Sequence, residues 1–166
     1  VLDPVEVDAG AEAAHPQLAE TGFYQRMRIG WGHMITPEEI DKRRASAPSA
    51  SSFLQDIIGI TVKHGQSGSG GHSGRGGARA GGGGGAQILG KTPKGADCMM
   101  NFIMNGQPVK LQPGETFDNY FSVNELYAIE TYTHAAEIPA AYQQLLGNDF
   151  CGAVIVWTVS RMTIKP

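Results

Sequence analysis

Apolar and polar residues follow one another along this chain in short phases, and each change of phase marks a predicted element. Residues 2–7 (LDPVEV) read as a short extended segment, and a polar, alanine-rich linker carries on to residue 21. From Gly22-Phe23-Tyr24 to Trp31 aromatics mix with Arg26 and Arg28, and Gly30-Trp31-Gly32-His33 ends the stretch in an irregular turn rather than a helix. The clearest local signal is Thr36-Pro37-Glu38-Glu39. Thr36 is placed to accept the orphan N–H of Glu39, Pro37 suits the first helical position, and the two acids face the positive end of the helix dipole. A helix over residues 37–44 follows. A second is expected from Ser51, with Phe53, Leu54, Ile57 and Ile58 at helical spacing and Gly59 as its stop.

The rest of the chain is dominated by strand signals. Ile60-Thr61-Val62 is a β-branched run, Ile88-Leu89 a short strand, and residues 99–104 a strand leading straight into Asn105-Gly106, the preferred two-residue type I′ hairpin turn. Residues 109–111 return. Residues 123–126 read as a helical turn into a strand over 127–132, residues 140–145 as a helix ended by Gly147, and residues 153–158 as a buried strand running on to Ile164. The sum is an α+β domain over residues 22–166, a small mixed sheet with short helices on one side and a glycine-rich insertion at 65–86.

Composition changes that picture in one place. About half of the 23 glycines fall between residues 65 and 90, so that stretch contributes little core and the flanking segments must share one. The net charge of −3 leaves no electrostatic footprint for nucleic acid over the chain as a whole. The longest apolar run, residues 153–157, is far short of the roughly 18 residues a membrane helix needs. The two cysteines, Cys98 and Cys151, are 53 residues apart, each just before an apolar strand. Two buried free thiols would suit a cytosolic core. The reading adopted is a disulfide formed in an oxidising compartment such as the periplasm, brought together by adjacent strands.

The C-terminal half then presents an ordered set of segments: Met100-Asn101-Phe102-Ile103-Met104 into Asn105-Gly106, Leu126-Tyr127-Ala128-Ile129-Glu130-Thr131-Tyr132, Glu137-Ile138-Pro139-Ala140-Ala141-Tyr142, and Cys151-Gly152-Ala153-Val154-Ile155-Val156-Trp157-Thr158. In this order they resemble the plug domain of TonB-dependent outer-membrane receptors: a strand and tight turn, an I-E-x-Y strand, an alanine-rich helix and a closing C-G-x-x-x-x-W-T strand. Gly22-Phe23-Tyr24, the run from Gly30 to Thr36, Ile40 and Phe53-Leu54 are similar to the family's opening strand and helices. The resemblance implies a plug-like fold in the cell envelope. No run of barrel strands follows Pro166, so import by this chain alone is not expected.

Chemical motifs add little. Gly85-Ala86-Gln87-Ile88-Leu89-Gly90-Lys91-Thr92 matches a phosphate-loop pattern, but a glycine run precedes it and Pro93 and Gly95 stand where a helix must propagate, so no nucleotide is expected. Ser73-Gly74-Arg75-Gly76-Gly77-Ala78-Arg79 is similar to RGG-type RNA-binding segments but lacks interleaved aromatics. His15, His33, His64, His72 and His134 show no paired metal spacing, and no cofactor is expected. Trp31, Trp157, Phe102 and Tyr132 are read as core. Glycine's missing side chain lets backbone lie flat against another surface, so the expected partner contact runs through Gly70, Gly71, Arg75, Arg79 and Gly83. The functional expectation is a non-enzymatic accessory subunit on the periplasmic face of a larger membrane complex, respiratory or photosynthetic. The alternative is a plug domain serving nutrient uptake.

Overall fold

In a computed structural model of the chain, residues 4–65, 85–146 and 151–162 are described. Strand β8 (Ala153–Thr158) is buried along its whole length. Val154 and Val156 join one apolar cluster while Ala153, Ile155 and Trp157 join another, the alternation of a strand covered on both faces. The main sheet has five strands in the order β1 (His33–Ile35), β7 (Leu126–Tyr132), β8, β5 (Asn101–Met104), β6 (Gln107–Val109). β5 and β8 run parallel, with Ile103 opposite Ile155, and the other neighbours are antiparallel. This is the mixed sheet with short helices that the sequence predicts. Asn105 (φ 51°) and Gly106 (φ 83°) are both left-handed, as a type I′ turn between β5 and β6 requires.

A second sheet was not anticipated. It pairs β2 (Thr61–His64), β3 (Ala86–Lys91) and β4 (Asp97–Met99), all antiparallel. The strand expected over residues 99–104 divides at Met100, because the backbone changes partner there. The Met100 N–H donates to the Ile88 carbonyl at 3.1 Å, and the next N–H, of Asn101, donates to Gly152 at 2.9 Å. One stretch, residues 99–104, therefore serves two sheets.

Helices cover both faces of the main sheet rather than one. On one side α4 (Pro37–Arg44), a 3₁₀ turn at Ala50–Leu54 and α5 (Phe117–Tyr120) pack with the second sheet around Ile88, Phe102, Ile129 and Val156. On the other, α1 (Pro4–Ala14), α2 (Pro16–Glu20), α3 (Phe23–Ile29), α6 (Ala140–Leu146) and α7 (Val159–Met162) pack around Tyr132, Ile155 and Trp157. The expected helix over 37–44 is present, with the Thr36 hydroxyl accepting from the Glu39 N–H at 3.4 Å.

Four expectations are corrected. The N-terminal stretch, read as extended segment and linker, is helical: prolines open α1 and α2, alanines fill α1, and Leu18 is fully buried. Residues 23–29 form a helix before the expected turn, and left-handed Gly30 ends it. The segment from Ser51 is a 3₁₀ turn and further turns up to left-handed Gly59. The last strand does not run on to Ile164. The Asn105 side chain accepts from the Thr158 N–H at 3.0 Å and donates to its hydroxyl at 2.9 Å, which closes the ladder, and α7 folds Met162 back onto the core.

Candidate functional site

Cys98 and Cys151 form the expected disulfide, with Cα atoms 6.0 Å apart. Cys98 lies on β4 of the second sheet and Cys151 just ahead of β8, so the bond ties the two sheets together. The parallel pairing of β5 with β8 supplies the closeness, since it sets Asn101 opposite Ala153. Around the bond the backbone is tight: a side chain at Gly152 would collide with the Tyr132 carbonyl oxygen. The second sheet is also the sheet whose first two strands flank residues 66–84. Its root is pinned twice. The Gly65 N–H donates to the Gly85 carbonyl at 3.4 Å, and Asp118 accepts from the Ala86 N–H at 3.3 Å and from the Ser51 N–H and hydroxyl at 2.7 and 2.8 Å. The predicted contact residues Gly70, Gly71, Arg75, Arg79 and Gly83 lie outside the described residues.

On the opposite face a buried charge appears that sequence reasoning missed. Glu130 on β7 is fully buried, and its carboxylate accepts four side-chain hydrogen bonds: from Arg26 Nε at 2.8 Å and Nη2 at 2.7 Å, Trp157 Nε1 at 2.7 Å and Tyr132 Oη at 2.8 Å. Arg26 also donates to the Thr21 carbonyl at 2.8 Å and to Tyr142 Oη at 3.2 Å, over whose ring its guanidinium lies. Burial works against the Arg26 charge, and the Glu130 carboxylate more than compensates, holding it protonated. Burial and the same carboxylate push the Tyr132 and Tyr142 phenols well above their ordinary value. The only sequence signal for this network was a single acid inside an otherwise apolar strand.

A third polar cluster joins helix to strand. His15, before α2, shares a hydrogen bond at 2.5 Å with Tyr127 Oη through Nδ1 and one at 2.8 Å with Glu38 through Nε2. Carboxylate, imidazole and hydroxyl in series resemble a nucleophilic relay. The phenol argues otherwise: burial first, then Glu38 and Asp41, raise the Tyr127 pKa, the reverse of an activated nucleophile. The cluster is a tie between α2, α4 and β7.

Several grooves open on the described surface. Two of about 440 Å³ each, both lined in part by His64, Gly85 and Asn119, lie where residues 66–84 leave the second sheet. Another, about 610 Å³, is lined by Thr21, Asn105, Tyr142, Trp157 and Arg161 among others. The polar atoms of Asn105, Tyr142 and Trp157 in it already bond within the fold. A further groove, about 330 Å³, lies between the Gly30–Gly32 turn and the Ile57-Ile58 turn. Trp157, Phe102 and Tyr132 are core as expected, but Trp31 is 56 % exposed beside this groove. The glycine pairing that flanks it was the signal: a tryptophan between two left-handed residues is held on a turn, not packed in a core.

The phosphate-loop match resolves into β3 itself. Lys91 ends the strand and pairs with Asp97, with no helix behind it to gather a phosphate. Among the described residues no group of three or more His, Cys, Asp or Glu side chains is placed to hold a metal, and no helix is long and apolar enough to cross a membrane. No protein-family model, characterised protein or solved structure matches the chain.

Proposed function

We propose that the chain is a non-enzymatic accessory subunit on the periplasmic side of a larger membrane assembly, built on a fold similar to the plug of TonB-dependent receptors. The observation that carries this reading is the Cys98–Cys151 bond, which locks the sheet bearing the glycine-rich connection onto the main sheet. A root fixed covalently to the main sheet suits a docking scaffold, because partner binding need not reorganise the sheet beneath the glycine-rich segment. The disulfide also favours an oxidising compartment. The charged groups buried deepest are already engaged in holding the fold together, Glu130 and Arg26 above all, which suits a scaffold better than a catalyst.

The test is affinity purification of the full chain from solubilised membranes of its host, with identification of what co-migrates. A stoichiometric membrane complex is the expected result, and recovery of the chain alone would overturn the reading. The alternative, a plug serving nutrient uptake, draws on the element order that ends in β8. It predicts that the chain co-purifies with an outer-membrane barrel, or that one is encoded downstream of Pro166.

A further inference from the structure

We propose that the groove between the Gly30–Gly32 turn and Ile58 is a docking site for a partner polypeptide that inserts a Lys or Arg side chain flanked by aliphatic residues. This rests on the accessory-subunit reading and names a second contact for it, on the described surface.

Two turns are built to present apolar side chains here. Gly30 (φ 76°) and Gly32 (φ 74°) are both left-handed, and a Cβ on Gly32 would stand 2.5 Å from the Thr131 carbonyl oxygen and 2.7 Å from the Tyr132 ring. The Trp31 turn is therefore pressed against the end of β7, and the indole is held in solvent. Across the groove a Cβ on Gly59 (φ 90°) would stand 3.0 Å from the Thr133 methyl, and the left-handed glycine follows Ile58, which is 94 % exposed. Ile29, ending α3, adds a third exposed apolar group. Exposed aromatic and aliphatic side chains carried on the turns that border a groove suit an interaction surface, and tryptophan is enriched among the anchors of such surfaces.

Charge selects the occupant. The ionisable groups lining the groove are His33, Asp56 and Glu137. Glu137 makes no ion pair among the described residues, and Asp56 has a single 3.9 Å contact with Arg43. Two carboxylates beside exposed Ile58 fit a cationic side chain whose neighbours are aliphatic. A second copy of this chain would bring the same carboxylates and oppose itself.

The experiment uses the full chain in its host with Ile58 replaced by the photocrosslinker p-benzoylphenylalanine, a substitution the exposure of Ile58 allows. Mass spectrometry then locates the crosslinked residue. Expected is a site on another polypeptide within a few residues of a Lys or Arg bordered by aliphatic side chains. Its yield should fall about tenfold or more in Asp56→Lys/Glu137→Lys and in Trp31→Ala, while the same crosslinker at exposed Lys94 is unaffected. A crosslink to lipid, to a second copy, or to an acidic segment overturns the proposal, as does a yield indifferent to charge reversal or no crosslinked polypeptide. The two readings fail separately. A co-purifying membrane complex without an Ile58 crosslink refutes only the groove, and a crosslink to a polypeptide outside any membrane complex refutes only the accessory-subunit reading.

Discussion

On the face of the main sheet covered by α1, α2, α3, α6 and α7, Glu130 and Arg26 hold an ion pair inside the core, and Tyr132 and Trp157 donate to it. On the opposite face the second sheet is joined to the first by a covalent bond, Cys98–Cys151, with apolar packing around it. These are different kinds of constraint. A disulfide acts largely on the unfolded chain by closing a loop, and it needs no particular side chain beyond its two ends. A buried ion pair acts on the folded state alone: its desolvation roughly cancels its attraction, so its use lies in demanding one arrangement of β7, β8 and α3. The covalent face is stable because alternatives are removed from the denatured ensemble, and the ionic face is specific because alternatives leave a charge unpaired.

The largest effect expected from breaking this comparison is on the covalent side. Cys98→Ser with Cys151→Ser opens a 53-residue loop, for which chain entropy gives a loss of about 4 kcal/mol. Urea unfolding of the oxidised protein against the double variant measures it, and equal stabilities would refute the clasp. Reduction of the unmodified protein should reproduce the loss, while leaving the Trp157 environment native below the midpoint.

On the ionic side the expected loss is about 3 kcal/mol for Glu130→Gln, which strands the Arg26 charge among Tyr142, Tyr132 and Trp157. The pair Arg26→Met/Glu130→Met should recover most of that loss. This recovery separates the two faces, since removing both cysteines together recovers nothing. If the double variant is no more stable than Glu130→Gln, the pair contributes net energy and the contrast fails.

How far each face could be read from sequence follows the same division. The α4 start is legible because Thr36, Pro37 and Glu39 act within one turn, and the Asn105-Gly106 hairpin because its dihedrals are a property of two residues. The disulfide is legible because only two cysteines exist. Arg26 and Glu130 are 104 residues apart, and nothing local to either names the other. The N-terminal helices were read as linker because their sequence is polar, yet Leu18, Phe23 and Tyr24 bury fully against the sheet: docking, not periodicity, orders them. The second sheet was hidden because the change of partner at Met100 falls within a single extended stretch, with no turn residue to mark it. Trp31 departs from the expected core placement because left-handed Gly30 and Gly32 hold it on a turn.

A smaller effect sharpens the ionic face. Gly32→Ala must place a Cβ at φ 74° against the Thr131 carbonyl and the Tyr132 ring, whose hydroxyl bonds Glu130. The left-handed conformation alone costs about 1–2 kcal/mol for an L-residue, so a loss of roughly 2 kcal/mol is expected with the contact included. Gly30→Ala, at φ 76° but with open space around it, should lose only the conformational part. Thermal denaturation of the two variants tests the order, and equal losses would show that the turn is not pressed on β7.

The smallest effect concerns acid, through two carboxylates with a lowered pKa, Glu38 on α4 and Asp97 on the second sheet. For Glu38, burial pushes the pKa up, but its own N–H, His15 and the Thr36 hydroxyl together pull it below the ordinary 4.5. For Asp97, at the surface of the second sheet, hydrogen bonds from Lys91 and Lys63 lower it from 3.8. A carboxylate whose folded pKa lies below its unfolded value adds stability above the unfolded value and loses it as pH falls through the folded one. Each group's share should therefore be complete near neutrality and vanish in acid, Glu38 beginning at the higher pH, so Glu38→Gln and Asp97→Asn each flatten part of the acid limb of a stability–pH curve. Salt tells them apart. About 1 M NaCl shortens the screening length to roughly 3 Å and should erase most of the difference made by exposed Asp97→Asn. Part of the Glu38→Gln difference should survive, since the hydrogen bonds from Thr36 and from its own backbone N–H do not depend on an opposite charge. Equal salt sensitivity in the two variants would mean that the His15 tie between α2 and α4 is a surface ion pair like the lysine pairs across the second sheet.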